Sequence, residues 1–158
     1  MNVQASERVL TELDHVRLTT LFSRGFRARS PNSLGIDALL DDARVVPSRA
    51  VASDIVTMYS RVLLRFADDG IKRELTLCYP QDAELQFGFV SVLSSIGLNL
   101  LGQRVGATVC WQSPDGSERM ADLDAVLSQP EAPADIRLSR GSHPATFNQR
   151  RFANRNTR

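Results

Sequence analysis

The chain is short of the residues that do chemistry. It has two cysteines, two histidines, one tryptophan and two tyrosines in 158 residues. Cys78 and Cys110 lack Cys-x-x-Cys spacing, and neither His15 nor His143 has a cysteine near it in sequence. No metal centre and no cofactor are therefore expected. Gly97, Gly102 and Gly106 do not form Gly-x-Gly-x-x-Gly, and no Gly-Lys-Ser/Thr follows, so no nucleotide cradle is indicated. No apolar run approaches the ~20 residues that span a bilayer. The N-terminus carries Glu7, Arg8, Glu12 and Asp14 where a signal peptide would be apolar. A cytoplasmic protein is the expectation, away from membranes and with both thiols reduced in the core. A net charge of +1 argues against binding nucleic acid over the whole surface.

What is present is enough apolar residue, 42%, for one domain or a small domain with an appendage. The charge is uneven. Ile136 to Arg158 carries six arginines and no acid, and Arg24, Arg27 and Arg29 form a second basic cluster. The basic tail, 131–158, reads as disordered, with weak salt-dependent contact to nucleic acid as its one functional reading.

The pattern along the chain changes once. Residues 1–10 read as a flexible N-terminus. Residues 11–45 have helical spacing: Leu13, Val16 and Leu21, with Leu18 and Phe22 widening the stripe, then Ile36, Leu39, Leu40 and Ala43. Thr11 with Asp14 resembles a capping box. Two such helices joined by a short loop predict an antiparallel helical hairpin. From 46 to 130 the spacing turns to period two. Strands are predicted over Val56–Phe66, Ile71–Tyr79, Phe87–Leu93, Val105–Gln112 and Glu118–Leu127, with Asp68-Asp69-Gly70 as a hairpin turn. One short helix, Ile96–Leu101, interrupts them, capped by Ser94 or Ser95 and ended by Gly102. The fold class is α+β.

Several blocks in order, VTMYSRV (56–62), SVLSSIGLNLLGQRVG (91–106) and PDGSERMADLDAV (114–126), resemble the C-terminal domain of the GreA/GreB transcript-cleavage factors. The short hairpin and YPQDAE (79–84) fit the family's type with a truncated hairpin, the regulators of nucleoside diphosphate kinase (Rnk). The resemblance covers about residues 10–130. It implies an FKBP-like domain, a twisted antiparallel sheet around one short helix, following a truncated coiled coil. It also implies a protein that binds RNA polymerase near the secondary channel and has no catalytic residues of its own; nothing in the sequence points to an oligomer, and a monomer is the expectation. In Gre factors the turn before the short helix takes part in that contact; here it is Ser91, Leu93, Ser94, Ser95, Ile96 and Gly97. Leu93 stands where cleavage factors carry an acid, Ser95 where the turn has proline, and Ala107 where an aspartate follows the Val-Gly pair.

Cleavage factors also need carboxylates at the hairpin tip to hold a second Mg²⁺, since an in-line displacement requires hard oxygen ligands at that ion. The tip here, residues 24–31 with Arg24, Phe26, Arg27 and Arg29, has no acid. Asp41 and Asp42 lie at the far end of the second helix and read as a solvated face. The alternatives are a degenerate cleavage or elongation factor, and an FKBP-like protein-binding module or prolyl isomerase with another partner. Trp111 and two tyrosines give little from which to build an isomerase pocket.

Overall fold

The structure, a computed structural model, describes residues 7–26 and 33–131, the side chains of Phe26 and Ser33 excepted. The expected loose segment 1–6, the tip residues Arg27 and Arg29 and the basic tail lie outside the described residues.

The chain opens with strand β1 (Val9–Thr11), helix α1 (Glu12–Leu21) and a single π-helical turn, Phe22–Phe26. Helix α2 (Ser33–Asp42) leads into strand β2 (Arg44–Val46). Thr11 caps α1 as predicted, its hydroxyl accepting the Asp14 N–H at 3.1 Å. Val9 and Leu10, read as part of a flexible terminus, instead pair in parallel with Arg44 and Val45, and Leu10 is buried. Three residues on each side are too few to register as a sequence pattern.

The buried face of α1 also differs from the prediction. Leu18 and Phe22 point inward as expected, but Leu13 and Val16 are exposed and the third inward position is Asp14. A carboxylate on the inner stripe disguises that stripe, because periodicity counts only apolar residues.

The remainder is a five-stranded sheet in the order β5-β4-β3-β7-β6. Its strands are β3 (Arg61–Phe66), β4 (Lys72–Cys78), β5 (Phe89–Ser91), β6 (Thr108–Gln112) and β7 (Glu118–Ser128). Helix α3 (Ser95–Leu100) follows β5 and lies against β5 and β6. The sheet is mixed, not wholly antiparallel as expected, because β5 runs parallel to β4. After β4 the chain passes through two one-turn 3₁₀ helices, Pro80–Asp82 and Leu85–Phe87, and re-enters the sheet in the original direction at Gly88, φ 79°. Two register shifts between β3 and β7 bend the long β7 strand.

The first predicted sheet strand is shortened. Ile55–Met58 and Ser60 are buried without alternation and form a loop, closed by Tyr59 at φ 63°. The Thr57 N–H and hydroxyl both bond the Ser60 hydroxyl at 2.9 Å, which ties this loop off before β3 begins.

One apolar cluster runs through both parts. Leu18, Phe22, Ile36 and Leu39 from the helices pack with Val56, Met58, Leu64, Leu98, Leu100 and Leu101. Trp111 packs edge-on to Phe66 at 5.7 Å, on the sheet. Cys78 is a free thiol in the core. Cys110, expected inside as well, is exposed on β6, because the side chains of β6 alternate and only Val109 turns fully inward.

Candidate partner-docking site

The turn from β5 into α3 is built almost wholly by serine. Val92 N–H continues the sheet to Cys78 O at 2.9 Å. The chain then reverses. Ser91 Oγ accepts the Leu93 N–H at 3.0 Å, and Ser91 O accepts both the Ser94 N–H at 3.0 Å and the Ser94 hydroxyl at 2.6 Å. Ser94 Oγ accepts the Gly97 N–H at 3.1 Å and so caps α3. Asn99 Nδ2 donates to Ser95 O at 2.7 Å one turn later.

The turn is tight because Gly97 is in it. A Cβ there would overlap the Ser91 carbonyl oxygen and lie 2.8 Å from its carbon. Only glycine lets α3 lie this close to the end of β5.

Ser91 and Ser94 thus spend their hydroxyls on the turn itself. Leu93, Ser95 and Ile96 are half-buried, and their outer surfaces are what the turn offers a partner. Beside them a depression of about 390 Å³ is lined by Ser95, Asn99, Cys110, Trp111, Gln112 and Glu118. The sequence reading missed this wall, since its β6 residues sit some fifteen positions from the turn. Ser95 occupies the first helical position, where proline is tolerated and favoured, so a serine there is compatible with the same backbone. No described residue in the turn titrates, and no group of three His, Cys, Asp or Glu that could hold a metal occurs among the described residues.

The tip residues are not brought to the turn by any described contact. Arg24 is exposed on the π-helical turn, and Phe26 contributes backbone alone to what is described. His15 bonds Leu40 O at 3.0 Å, joining α1 to α2. Asp41 and Asp42 are exposed, as expected.

The regulator of nucleoside diphosphate kinase from Escherichia coli (strain K12) is 33% identical to this chain over 130 residues, which span 82% of this chain and 96% of that one. The chain belongs to the Gre-like family of the nucleoside diphosphate kinase regulators. Residues 51–125 match the family of the transcription elongation factor GreA/GreB C-terminal domain. The GreA of Chloroherpeton thalassium is 33% identical over 89 residues, about half the length of each chain. A GreA/GreB elongation factor structure from Nitrosomonas europaea superposes with a TM-score of 0.67 and 28% identity, over 77% of this chain and all of that one. The Gre-like fold, with N-terminal helices before a curled mixed sheet and one short helix, is thereby shown. No helix among the described residues is long and apolar enough to cross a membrane.

A second chemically loaded place is Asp14. Its side chain is buried where α1 meets the 55–60 loop, and Oδ2 accepts the Met58 N–H at 3.1 Å. Burial, reinforced by the charge of Glu131, pushes its carboxyl up to about 6 despite that bond. Glu131 holds the same loop by accepting the Thr57 hydroxyl at 2.7 Å. Asp14 is 3% exposed. It is a joint between helix and loop, which the sequence reading used only as a cap.

Proposed function

We propose that this chain is a non-catalytic transcription regulator that docks on RNA polymerase near the secondary channel through the β5–α3 turn. The observation that carries the reading is the turn itself: an ordered, serine-built, glycine-dependent projection in a Gre-family fold, with half-exposed Leu93, Ser95 and Ile96 as its outer surface.

Docking there brings α1 and α2 to the polymerase. Each has ten residues, about 15 Å of helix at 1.5 Å per residue. The intervening tip has no carboxylate to give a catalytic Mg²⁺. The protein therefore acts by occupying the site and excluding longer factors, with polymerase as partner and no cofactor of its own. The domain division at residues 45 and 46 belongs to this reading, with the FKBP-like unit as the dock and the helices as the effector.

The test is binding to core RNA polymerase with a full-length Gre factor as competitor. Mutual displacement is the expected result. Absence of binding at micromolar protein, or binding that the Gre factor leaves untouched, overturns the reading.

A further inference from the structure

Helix α3 has one turn and a half to hold the docking turn in place, and its other end is held from the N-terminal segment. Arg8, just before β1, sends its guanidinium to the last carbonyls of α3. Nη1 donates to Leu98 O at 2.8 Å and to Leu101 O at 3.2 Å, and Nη2 donates to Asn99 O at 3.2 Å. These are the acceptors a helix leaves unpaired at its C-terminus, where a cation is also favoured by the helix dipole.

The backbone closes around this contact. Val9 N–H donates to Gly102 O at 3.1 Å, and a Cβ on Gly102 would lie 3.0 Å from Val9 O. Arg44 N–H donates to Arg8 O at 2.8 Å, which fixes Arg8 from the β2 side. Burial lowers the Arg8 pKa, yet it stays charged at any working pH.

We infer that Arg8 is a positioning residue for the docking turn, setting the placement of Ser94–Ile96 by gathering the Leu98 and Asn99 carbonyls at the end of α3 and that of its C-cap, Leu101. The inference rests on the proposed docking role of that turn. A helix of six residues transmits a shift at one end to the other, because it has no length over which to bend. Lysine can replace arginine only in part. One ammonium on a flexible stem lacks the fork that spans the Leu98, Asn99 and Leu101 carbonyls.

The experiment uses the full chain as wild type, Arg8→Gln, Arg8→Lys and Val62→Ala, the last a core truncation in β3 away from the turn. Affinity for core polymerase is measured well below every melting temperature, together with amide hydrogen exchange along α3. Arg8→Gln is expected to weaken binding on the order of tenfold, and Arg8→Lys to recover part of that loss. Val62→Ala, with an equal or greater fall in melting temperature, should bind as wild type does. Exchange in Arg8→Gln should rise at both ends of α3.

Equal affinity for wild type and Arg8→Gln overturns the inference, as does an equal loss in Val62→Ala, which would mark a general stability effect. If wild type does not bind polymerase, the docking proposal falls, and exchange alone decides on Arg8. A rise confined to residues 98–102, leaving 94–97 unchanged, refutes the transmission.

Discussion

Replacing Gly97 by alanine sets helix propensity against packing, and the two predict opposite signs. Propensity alone favours alanine by about 1 kcal/mol in a helix interior. Packing forbids it. The added Cβ would overlap Ser91 O, sit 2.8 Å from the Ser91 carbonyl carbon and 3.0 Å from Ser94 Oγ, and two of these three atoms are backbone. Restoring ordinary contact needs α3 to move off β5 by about 1.5 Å, which strains a packed core by roughly 1–3 kcal/mol. The same movement breaks the capping bond from Gly97 N–H to Ser94 Oγ, worth about 1 kcal/mol. The cap loss and the propensity gain cancel, so the net expectation is destabilisation by roughly 1–3 kcal/mol, or a fall of about 2–12 °C in melting temperature for a chain of this size.

Gly35→Ala is the matched control. Its Cβ would meet only the Leu98 Cδ2 methyl, at 2.9 Å. A side-chain end can yield where a carbonyl cannot, and α2 gains the same propensity. Its melting temperature should stay within about 3 °C of wild type. Thermal unfolding followed by far-UV circular dichroism reads both variants. A Gly97→Ala protein as stable as wild type, or a larger loss in Gly35→Ala, would refute the argument that backbone contact fixes α3 against β5.

Asp14 makes stability depend on pH with an unusual sign. Its carboxyl is raised from 3.8 to about 6 in the folded protein, so between those values the folded state binds the proton more tightly. Its contribution is therefore largest at low pH, is lost as pH rises from about 4 to about 6, and is flat above; Asp14→Asn should remove this segment from a denaturant-midpoint series against pH, and an unchanged series would count against it. Cys110 should react with a thiol reagent at once in the native protein. Buried Cys78, whose pKa is raised by desolvation, should react only on unfolding, and two fast equivalents would contradict this. Added to a backtracked transcription complex, the protein should leave the rate of transcript cleavage unchanged, and acceleration would restore the cleavage-factor reading.

The elements legible in the sequence are those that local chemistry dictates. Asp68-Asp69-Gly70 announces the β3–β4 hairpin, and Ser94 with Gly102 brackets α3, because caps and left-handed turns need particular residues. Three features were hidden, each for a physical reason. The parallel direction of β5 is decided by the route through 80–88 and leaves no mark on the strand's own residues. Val56, Met58 and Ser60 alternate like a strand, yet Tyr59 takes a positive φ held by a hydroxyl bond to Asp82 at 2.7 Å and an edge contact with Tyr79. The inner face of α1 is led by a carboxylate that answers the Met58 N–H. For the β5–α3 turn, the serines are visible as candidates, but their division of labour is not. Ser91 and Ser94 build the turn, while Ser95 faces outward beside Trp111 and Cys110.

The two three-residue strands at the base of the helices have a consequence for how this architecture can vary. By pairing Val9 with Arg44 and Thr11 with Val46, they staple the chain on either side of everything between them. A stapled loop can grow at its far end without disturbing the staple, since doubling its length adds only about 0.6 kcal/mol of closure entropy. Reach is then an adjustable dimension, set by whatever is inserted between residues 26 and 33, while the sheet and α3 beyond residue 46 stay as they are. One base can serve arms of many lengths, and a longer arm with carboxylates at its end could be transplanted onto this chain at that point.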